Sequence, residues 1–156
     1  MGLERVVSGG QTGVDRAGLD AAIACGLTHG GWCPQGRRAE DGAIPARYRL
    51  RETASPEYFV RTDRNVRDSD GTVVLCAGAP AGGTALTLEY AAKRGRPALV
   101  LDLDQVAAEA AAAKLHAWTA EHAIATLNVA GPRESSSPGI YARARAVLDA
   151  ALGSGR

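Results

Sequence analysis

The sequence lacks the features that mark membrane proteins, secreted proteins and proteins stabilised by a structural metal. No apolar run in its 156 residues is long enough to form a membrane-spanning helix, and no signal peptide is visible at its start. Its three cysteines, Cys25, Cys33 and Cys76, have no CxxC spacing and fit unpaired thiols in a reducing compartment. We therefore expect a cytoplasmic protein with no membrane partner.

An excess of charge of one sign is also missing. The net charge of +1 argues against a protein built to hold nucleic acid. Histidine and cysteine occur without the spacing of a zinc site, so we expect no structural metal. Among the 18 basic residues only Lys93 and Lys114 are lysine. Genome composition explains such a bias, but the planar guanidinium of arginine also suits anionic ligands.

Strands and helices alternate along the chain. The apolar patterns predict strands at residues 3–7, 48–52, 71–76, 97–103 and 124–129, and helices at residues 14–25, 55–66, 84–94, 104–121 and 140–152. This order predicts one α/β domain over residues 1–152: a single Rossmann-like, doubly wound, mainly parallel sheet flanked by helices. Residues 72–75 and 98–101 have the apolar character of central strands buried on both faces. Residues 153–156 are expected to form a frayed tail.

The first glycine-rich loop follows a predicted strand and precedes a predicted helix. Ligands of open parallel sheets bind at the carboxyl ends of the strands, and free amides at a helix N-terminus favour an anion. Arg16 could add a charge-assisted hydrogen bond, and Thr12 and Asp15 have the spacing of a capping box. The alternative is a tight turn that only caps the helix. The candidate ligand-binding residues here are Gly9, Gly10, Gln11, Thr12, Gly13, Asp15 and Arg16.

The second glycine-rich loop, residues 78–83, also precedes a helix. Gly82, Gly83 and Thr84 are therefore candidates for phosphate binding, and Thr87 is a candidate for the pocket behind them. Glu89 lies further along the same helix. It could point back toward a ligand or simply be solvated, as surface glutamates usually are.

A third loop, residues 131–139, contains Arg133 and Ser135, whose side chains suit phosphate oxygens. A polar surface loop is the alternative. The long segment 31–42 contributes Trp32, which could cover a planar ring or help to gate the site. Asn65 is expected near the site, behind the groups that touch the ligand.

Three further residues are expected near the ligand. Asp70 is expected near the site, in the same supporting role as Asn65. Cys33 and Cys76 lie near the predicted ligand edge, and Cys76 has the character of a small buried thiol.

The combination of these motifs resembles the molybdenum carrier family, proteins similar to the molybdenum cofactor carrier proteins. The segments that carry the resemblance are residues 8–16, 32–37, 61–72, 82–87 and 131–141. The resemblance covers nearly the whole chain. It implies a Rossmann-like fold, a homo-oligomer (dimer or tetramer) and, as ligand, the molybdenum cofactor: a pterin with one phosphate and a molybdenum–dithiolene group.

The chain is also similar to a wider group that includes the lysine-decarboxylase-like (LOG) phosphoribohydrolases. Their motif Pro-Gly-Gly-x-Gly-Thr-x-x-Glu has a catalytic Glu, and Gly82, Gly83 and Glu89 keep its spacing. The positions of its Pro, third Gly and Thr are occupied by Ala81, Ala85 and Leu86. The favoured function is therefore a binding or carrier protein for the molybdenum cofactor or a similar phosphorylated pterin or nucleotide. The alternatives are a nucleoside-monophosphate phosphoribohydrolase that uses Glu89 and a nucleotide-sensing module.

Overall fold

Five parallel strands form the central sheet of the protein, which a computed structural model describes for residues 2–153. In chain order the elements are β1 (Arg5–Val7), α1 (Val14–Cys25), β2 (Thr28–Gly30), β3 (Trp32–Cys33), β4 (Arg38–Ala39), β5 (Gly42–Ala43), β6 (Arg51–Glu52), α2 (Tyr58–Arg67), β7 (Gly71–Cys76), α3 (Gly82–Lys93), β8 (Ala98–Asp102), α4 (Ala108–Glu121), β9 (Thr126–Ala130) and α5 (Ile140–Gly153).

The central sheet has the strand order β2-β1-β9-β7-β8, and each neighbouring pair is parallel. Helix α5 packs against both α1 and α4 in one layer, and α2 and α3 pack together in another. Parallel strands need such helical crossovers. The predicted Rossmann-like α/β fold is confirmed.

The main hydrophobic core lies between the sheet and the layer of α1, α4 and α5. Val73 and Leu75 of β7 pack there with Leu127 of β9, and all three side chains are fully buried. Every residue of β7 is buried, as expected for a strand covered by helices on both faces. None of the helices within residues 2–153 is long and apolar enough to cross a membrane.

Strand β8 differs from its prediction. It lies at the edge of the sheet, and Ala98 and Val100 are exposed. The expectation that residues 98–101 are buried on both faces is therefore wrong. An apolar run of this length does not distinguish a central strand from an edge strand, because only the strand order decides which faces are covered.

Residues 28–52 are more ordered than the sequence indicates. Strand β2 forms the other edge of the main sheet, while β3–β6 and β4–β5 form two small sheets. A second core of Leu19, Cys33, Ala39, Ile44 and Tyr48 packs beneath this segment. Strand β6 lies within the strand predicted at residues 48–52, but it is only two residues long. Strands β2 to β5 were missed, because runs of two or three residues are too short to show a period of alternating polar and apolar residues.

Helix boundaries follow local hydrogen bonds. Helix α1 has its predicted bounds, and Gly26 ends it in the left-handed conformation (φ 81°) that favours glycine. Helix α2 begins at Tyr58, three residues later than predicted, because the Ser55 hydroxyl accepts a hydrogen bond from the Glu57 amide within a turn. Helix α5 continues through Gly153, the first residue of the predicted frayed tail. The rest of that tail, residues 154–156, lies outside the described part of the chain.

Candidate functional site

A cavity of about 730 Å³ opens at the carboxyl ends of β7 and β9. Its walls come from the loops after β1, β7 and β9, from the first turns of α2 and from the start of α3. The crossover from β1 leads to one edge of the sheet and the crossover from β7 leads to the other. A crevice forms where crossovers diverge in this way, and ligands of open α/β sheets bind there.

The N-terminus of α3 opens into this cavity without a side-chain cap. The first amides of a helix have no partner within the helix, so those of Gly82 and Gly83 can bind a ligand. Gly82 has φ 53°, a backbone angle that suits glycine. The buried side chain of Thr84 lies one residue further on. This is the arrangement that binds anions at helix N-termini.

Arginine side chains surround Tyr58 at the side of the cavity. The guanidinium carbons of Arg61 and Arg133 each lie 5.4 Å from the Tyr58 ring centre, and that of Arg38 lies 4.3 Å from it. Arg133 takes part in none of the ion pairs found among the described residues. Arg61 and Arg133 both line the cavity and are close enough for one ligand to contact both.

A second ionic group lies at the floor of the cavity. The Asp15 carboxylate is 3.9 Å from a terminal guanidinium nitrogen of Arg61, and both side chains are largely buried. Asp15 also accepts a hydrogen bond from the Gln11 amide. Burial raises the pKa of Asp15 above its usual value, and the opposing effects of Arg61, the amides and Arg16 do not cancel the increase.

Two buried donors at this floor have no partner among the described residues: Gln11 Nε2 and Arg61 Nε. The orientation of the Gln11 amide is fixed, because its Oε1 accepts hydrogen bonds from the Thr12 and Glu40 amides. Arg61 Nε lies against Gly9, where a built Cβ would come within 2.7 Å of Arg61 Cδ. An unsatisfied buried donor costs about 1–3 kcal/mol, and ordered water or a bound ligand is the usual source of the missing acceptor.

Comparisons with known proteins identify the family of this chain. The sequence pattern of the circularly permutated YpsA SLOG family matches residues 6–152. The chain belongs to this family. This SLOG chain is also similar to a crystal structure named "Putative molybdenum carrier protein" from Syntrophus aciditrophicus SB. The two chains are 44% identical over 97% of this one and 96% of that one, with a TM-score of 0.95. No curated protein matches. The resemblance to the molybdenum carrier family is confirmed.

About half of the predicted site residues of this SLOG chain meet at the cavity. Those that line it are Gln11, Asp15, Gly82, Gly83, Thr84, Thr87, Arg133 and Ser135. Gly9 and Asn65 line a second cavity of about 10 Å³, which shares Asp15, Arg61 and Thr87 with the first. The three predicted loops therefore meet at the carboxyl ends of the parallel strands, where ligands of such sheets bind.

Arg16 lies elsewhere. Its Nε donates to the Gly10 carbonyl, and its two terminal nitrogens bind both Asp41 carboxylate oxygens at 2.6 and 2.8 Å. It does not line the cavity, so its position does not fit the expected contact with a ligand. The predicted capping box is wrong as well, because no side chain caps α1. The Thr12 hydroxyl donates instead to Glu40 and accepts from the Glu134 amide.

The remaining glycines of the first loop have packing roles. Gly13 (φ 81°) lets this loop approach the third loop closely, since a built Cβ would lie 2.8 Å from the Glu134 nitrogen. Gly10 (φ 78°) packs against Leu50 and Ile44. Neither residue lines the cavity.

Trp32 also lies away from the cavity. Its ring lies beneath the guanidinium groups of Arg51 and Arg64, and its Nε1 donates to Asp68. Asn65 holds the Trp32 backbone through two hydrogen bonds, at 2.8 and 2.9 Å. The predictions that Trp32 covers or gates a ligand do not agree with this position.

Two acidic residues lie away from the cavity. Glu89 is exposed and does not line the cavity, which agrees with the solvated alternative. Asp70 precedes β7, and its carboxylate accepts hydrogen bonds from two amides at the start of β9. It therefore lies at the amino ends of the strands, whereas the cavity lies at their carboxyl ends.

Glu40 is a connection that the sequence did not reveal. Its carboxylate accepts hydrogen bonds from the Ser135 hydroxyl and amide and from the Thr12 hydroxyl. The Ser135 and Thr12 hydrogen bonds, together with the charge of Arg133, lower the pKa of Glu40. It thereby joins the hairpin β4–β5 to the rim of the cavity. Its sequence neighbours, Ala39 and Asp41, gave no motif by which to find it.

The cavity face of α2 was also missed. Tyr58, Arg61, Thr62 and Asn65 repeat at helical spacing and form one face of that helix. Three of them line the large cavity. A polar stripe at positions i, i+3, i+4 and i+7 was the available signal, but it is the pattern of a solvated helix face too.

The two candidate thiols have different surroundings. Cys76 lines the cavity at the end of β7 and is almost fully buried. Burial raises the pKa of this thiol, which disfavours the reactive thiolate. Cys33 belongs to the second core, so it is a packing residue.

Proposed function

We propose that this protein binds and carries a phosphorylated small molecule of the molybdenum cofactor type in the cavity of about 730 Å³. One observation carries the proposal: the uncapped N-terminus of α3 opens into a cavity that Arg133 lines without an ion pair among the described residues. Partial positive charge and a free guanidinium group thus line the same space. An anion is the ligand that satisfies both.

The phosphate would lie at the start of α3. The Gly82 and Gly83 amides would donate to its oxygens, the Thr84 hydroxyl would add a third donor, and Arg133 would supply a full positive charge. Hydrogen bonds to a charged group contribute about 1.5–3 kcal/mol each. Such a cluster needs no catalytic acid or base, which agrees with a binding role.

The size and chemistry of the cavity suit the rest of the ligand. Its volume lies within the ~300–1,000 Å³ range of small-molecule sites. Among the described residues, no group of three or more His, Cys, Asp or Glu side chains could hold a metal ion. Molybdenum would therefore be cargo, held by the sulfur atoms of the ligand, while the protein binds the organic part and the phosphate.

The same proposal includes a cytoplasmic homo-oligomer. The three cysteines are free thiols, which supports a reducing compartment. Strand β8 leaves one edge of the sheet unpaired within the described chain, and edges of this kind are available for pairing with a second copy.

Native mass spectrometry of protein purified without chelators tests the proposal. Molybdenum analysis of the same sample should give a phosphorylated ligand, with molybdenum, at near-stoichiometric occupancy, and the intact mass gives the oligomeric state. Arg133→Ala should lose most of the bound ligand. Arg143→Ala is the matched control, because Arg143 pairs with Asp104 away from the cavity.

Two results would contradict the carrier proposal. One is a protein that contains no ligand and binds no phosphorylated compound. The other is cleavage of nucleoside monophosphates that Glu89→Gln abolishes, which would restore the hydrolase alternative despite the exposed position of Glu89.

A further inference from the structure

Two residues that line the floor of the cavity carry buried donors without partners among the described residues. Gln11 is only 5% exposed, and its Nε2 has no partner within the described chain. Arg61 Nε, from α2, is in the same state. Both residues line the large cavity, and they belong to the loop after β1 and to α2, whereas the phosphate end is formed by α3. The cavity therefore has a second polar end.

The charge at this floor is already balanced. The buried Asp15 carboxylate lies 3.9 Å from Arg61 and is bonded to the Gln11 amide. A second anion here would lie beside that carboxylate and be repelled by it. A neutral acceptor has no such conflict, and it would satisfy donors that are otherwise buried without partners.

Part of the cavity wall is apolar. Phe59 is a large hydrophobic residue with half of its surface exposed, and it lines the cavity together with Leu86 and Pro80. An aromatic side chain in this position offers a face against which a flat ring can stack. Small apolar residues, including Ala79 and Ala81, leave room for such a ring.

We infer that Gln11 and Arg61 form a subsite for the acceptor edge of an oxo-substituted nitrogen heterocycle, held in place beside Asp15. The inference rests on the proposed function, because the phosphate of the same ligand would be anchored at α3. An oxo oxygen beside an unprotonated ring nitrogen offers acceptors to both donors. An amino group at the same position would place its own N–H donors against the donors of Gln11 and Arg61, and those donors would stay without acceptors.

Three commercially available probes separate the two ends of the cavity. Inosine 5′-monophosphate and adenosine 5′-monophosphate share the sugar and phosphate but differ in an oxo or amino group on the ring. Ribose 5-phosphate reports on the phosphate end alone. In isothermal titration calorimetry, the oxo compound should bind at least about tenfold more tightly than the amino compound.

The outcomes are distinguishable. Equal affinity for the two nucleotides, or tighter binding of the amino compound, would overturn this inference while ribose 5-phosphate binding still supports the phosphate site. Failure of all three probes to bind would overturn the proposed function and this inference with it.

Gln11→Glu gives a sharper test of the Gln11 donor. The substitution keeps the oxygen that accepts from Thr12 and Glu40, but replaces the Nε2 donor by an acceptor oxygen. The ratio of the two nucleotide affinities should fall to about one or reverse. A general electrostatic or folding defect would instead weaken all three probes equally and leave the ratio unchanged, which would refute the role of Gln11. Circular dichroism provides the check on folding.

Discussion

Gly9→Ala is expected to disable the floor of the cavity without changing any side chain that contacts a ligand. A Cβ built at Gly9 would lie 2.7 Å from Cδ and 2.8 Å from Cζ of Arg61, and closer still to Nε. Gly9 is absent from the residues with positive φ in the described chain, so alanine strains no backbone angle there. The Arg61 side chain must therefore move, and Asp15 loses its ion-pair partner.

The structure sets the size of this effect. Loss of a charge-assisted hydrogen bond removes about 1.5–3 kcal/mol, which is roughly a 10- to 150-fold loss of affinity for the oxo nucleotide. The Coulomb attraction across the 3.9 Å ion pair is about 4 kcal/mol at an effective dielectric constant of ~20. Asp15 keeps its hydrogen bond from the Gln11 amide, which limits the cost of losing the Arg61 charge. We therefore expect a smaller loss of unfolding free energy, about 1–2 kcal/mol.

A double-mutant cycle is the assay. Calorimetry with inosine 5′-monophosphate should give similar losses for Gly9→Ala and Arg61→Gln, and the double variant should be little worse than either alone. Gly153→Ala is the control, since a Cβ there meets no heavy atom within 4 Å. Wild-type affinity in Gly9→Ala, or additive losses in the double variant, would refute this account of the floor.

Three further predictions concern stability. Gly18→Ala places a Cβ 2.8 Å from Val129 Cβ, so overpacking of about 1–3 kcal/mol should exceed the ~1 kcal/mol gain in helix propensity and lower the urea midpoint. Asp70→Ala removes two hydrogen bonds at the start of β9 and should cost about 1–2 kcal/mol, with probe affinities unchanged because the site is at the opposite edge. The hydrogen bond from Arg67 lowers the pKa of Asp68 to about 2. The small stabilising effect of ionised Asp68 should therefore be present above its ordinary pKa of 3.8 and be lost as the pH falls toward 2. Urea unfolding between pH 5 and pH 2 should show that Asp68→Asn lacks this decrease in stability.

Much of the central architecture could be predicted from the sequence, because its signals are local. Helix α1 has glycine at both ends, and β7 is an apolar run between turns, so both have their predicted bounds. Strand β8 is as apolar as β7, yet it lies at an edge. The order of strands depends on long-range pairing, which the pattern of a single strand does not contain.

The site was predictable at the level of loops but only partly at the level of side chains. Because ligands of parallel sheets bind at the carboxyl ends of the strands, three loops could be assigned to one site. All three line the cavity, and so does Arg133. Arg16 and Arg61 were indistinguishable by charge, yet Arg16 binds Asp41 while Arg61 enters the cavity. The difference comes from the partners that tertiary packing brings to each arginine, Asp41 in one case and Gly9 and Asp15 in the other.

The first loop shows how one sequence signature can support different chemistry. Three glycines before a helix predict backbone amides that bind phosphate. Here each glycine instead leaves room for a close contact: Gly9 with Arg61, Gly10 with the second core and Gly13 with the third loop. The features of an anion site are found at α3 and Arg133 instead: a helix N-terminus without a side-chain cap and an arginine that forms no ion pair among the described residues. The first loop contributes the neutral donor Gln11 and the buried acid Asp15. Because the two ends bind different parts of the ligand, substitutions at α3 should weaken binding of every phosphorylated probe alike. Substitutions at Gln11 should change which ring is preferred, and a phosphate-only probe such as ribose 5-phosphate separates the two effects.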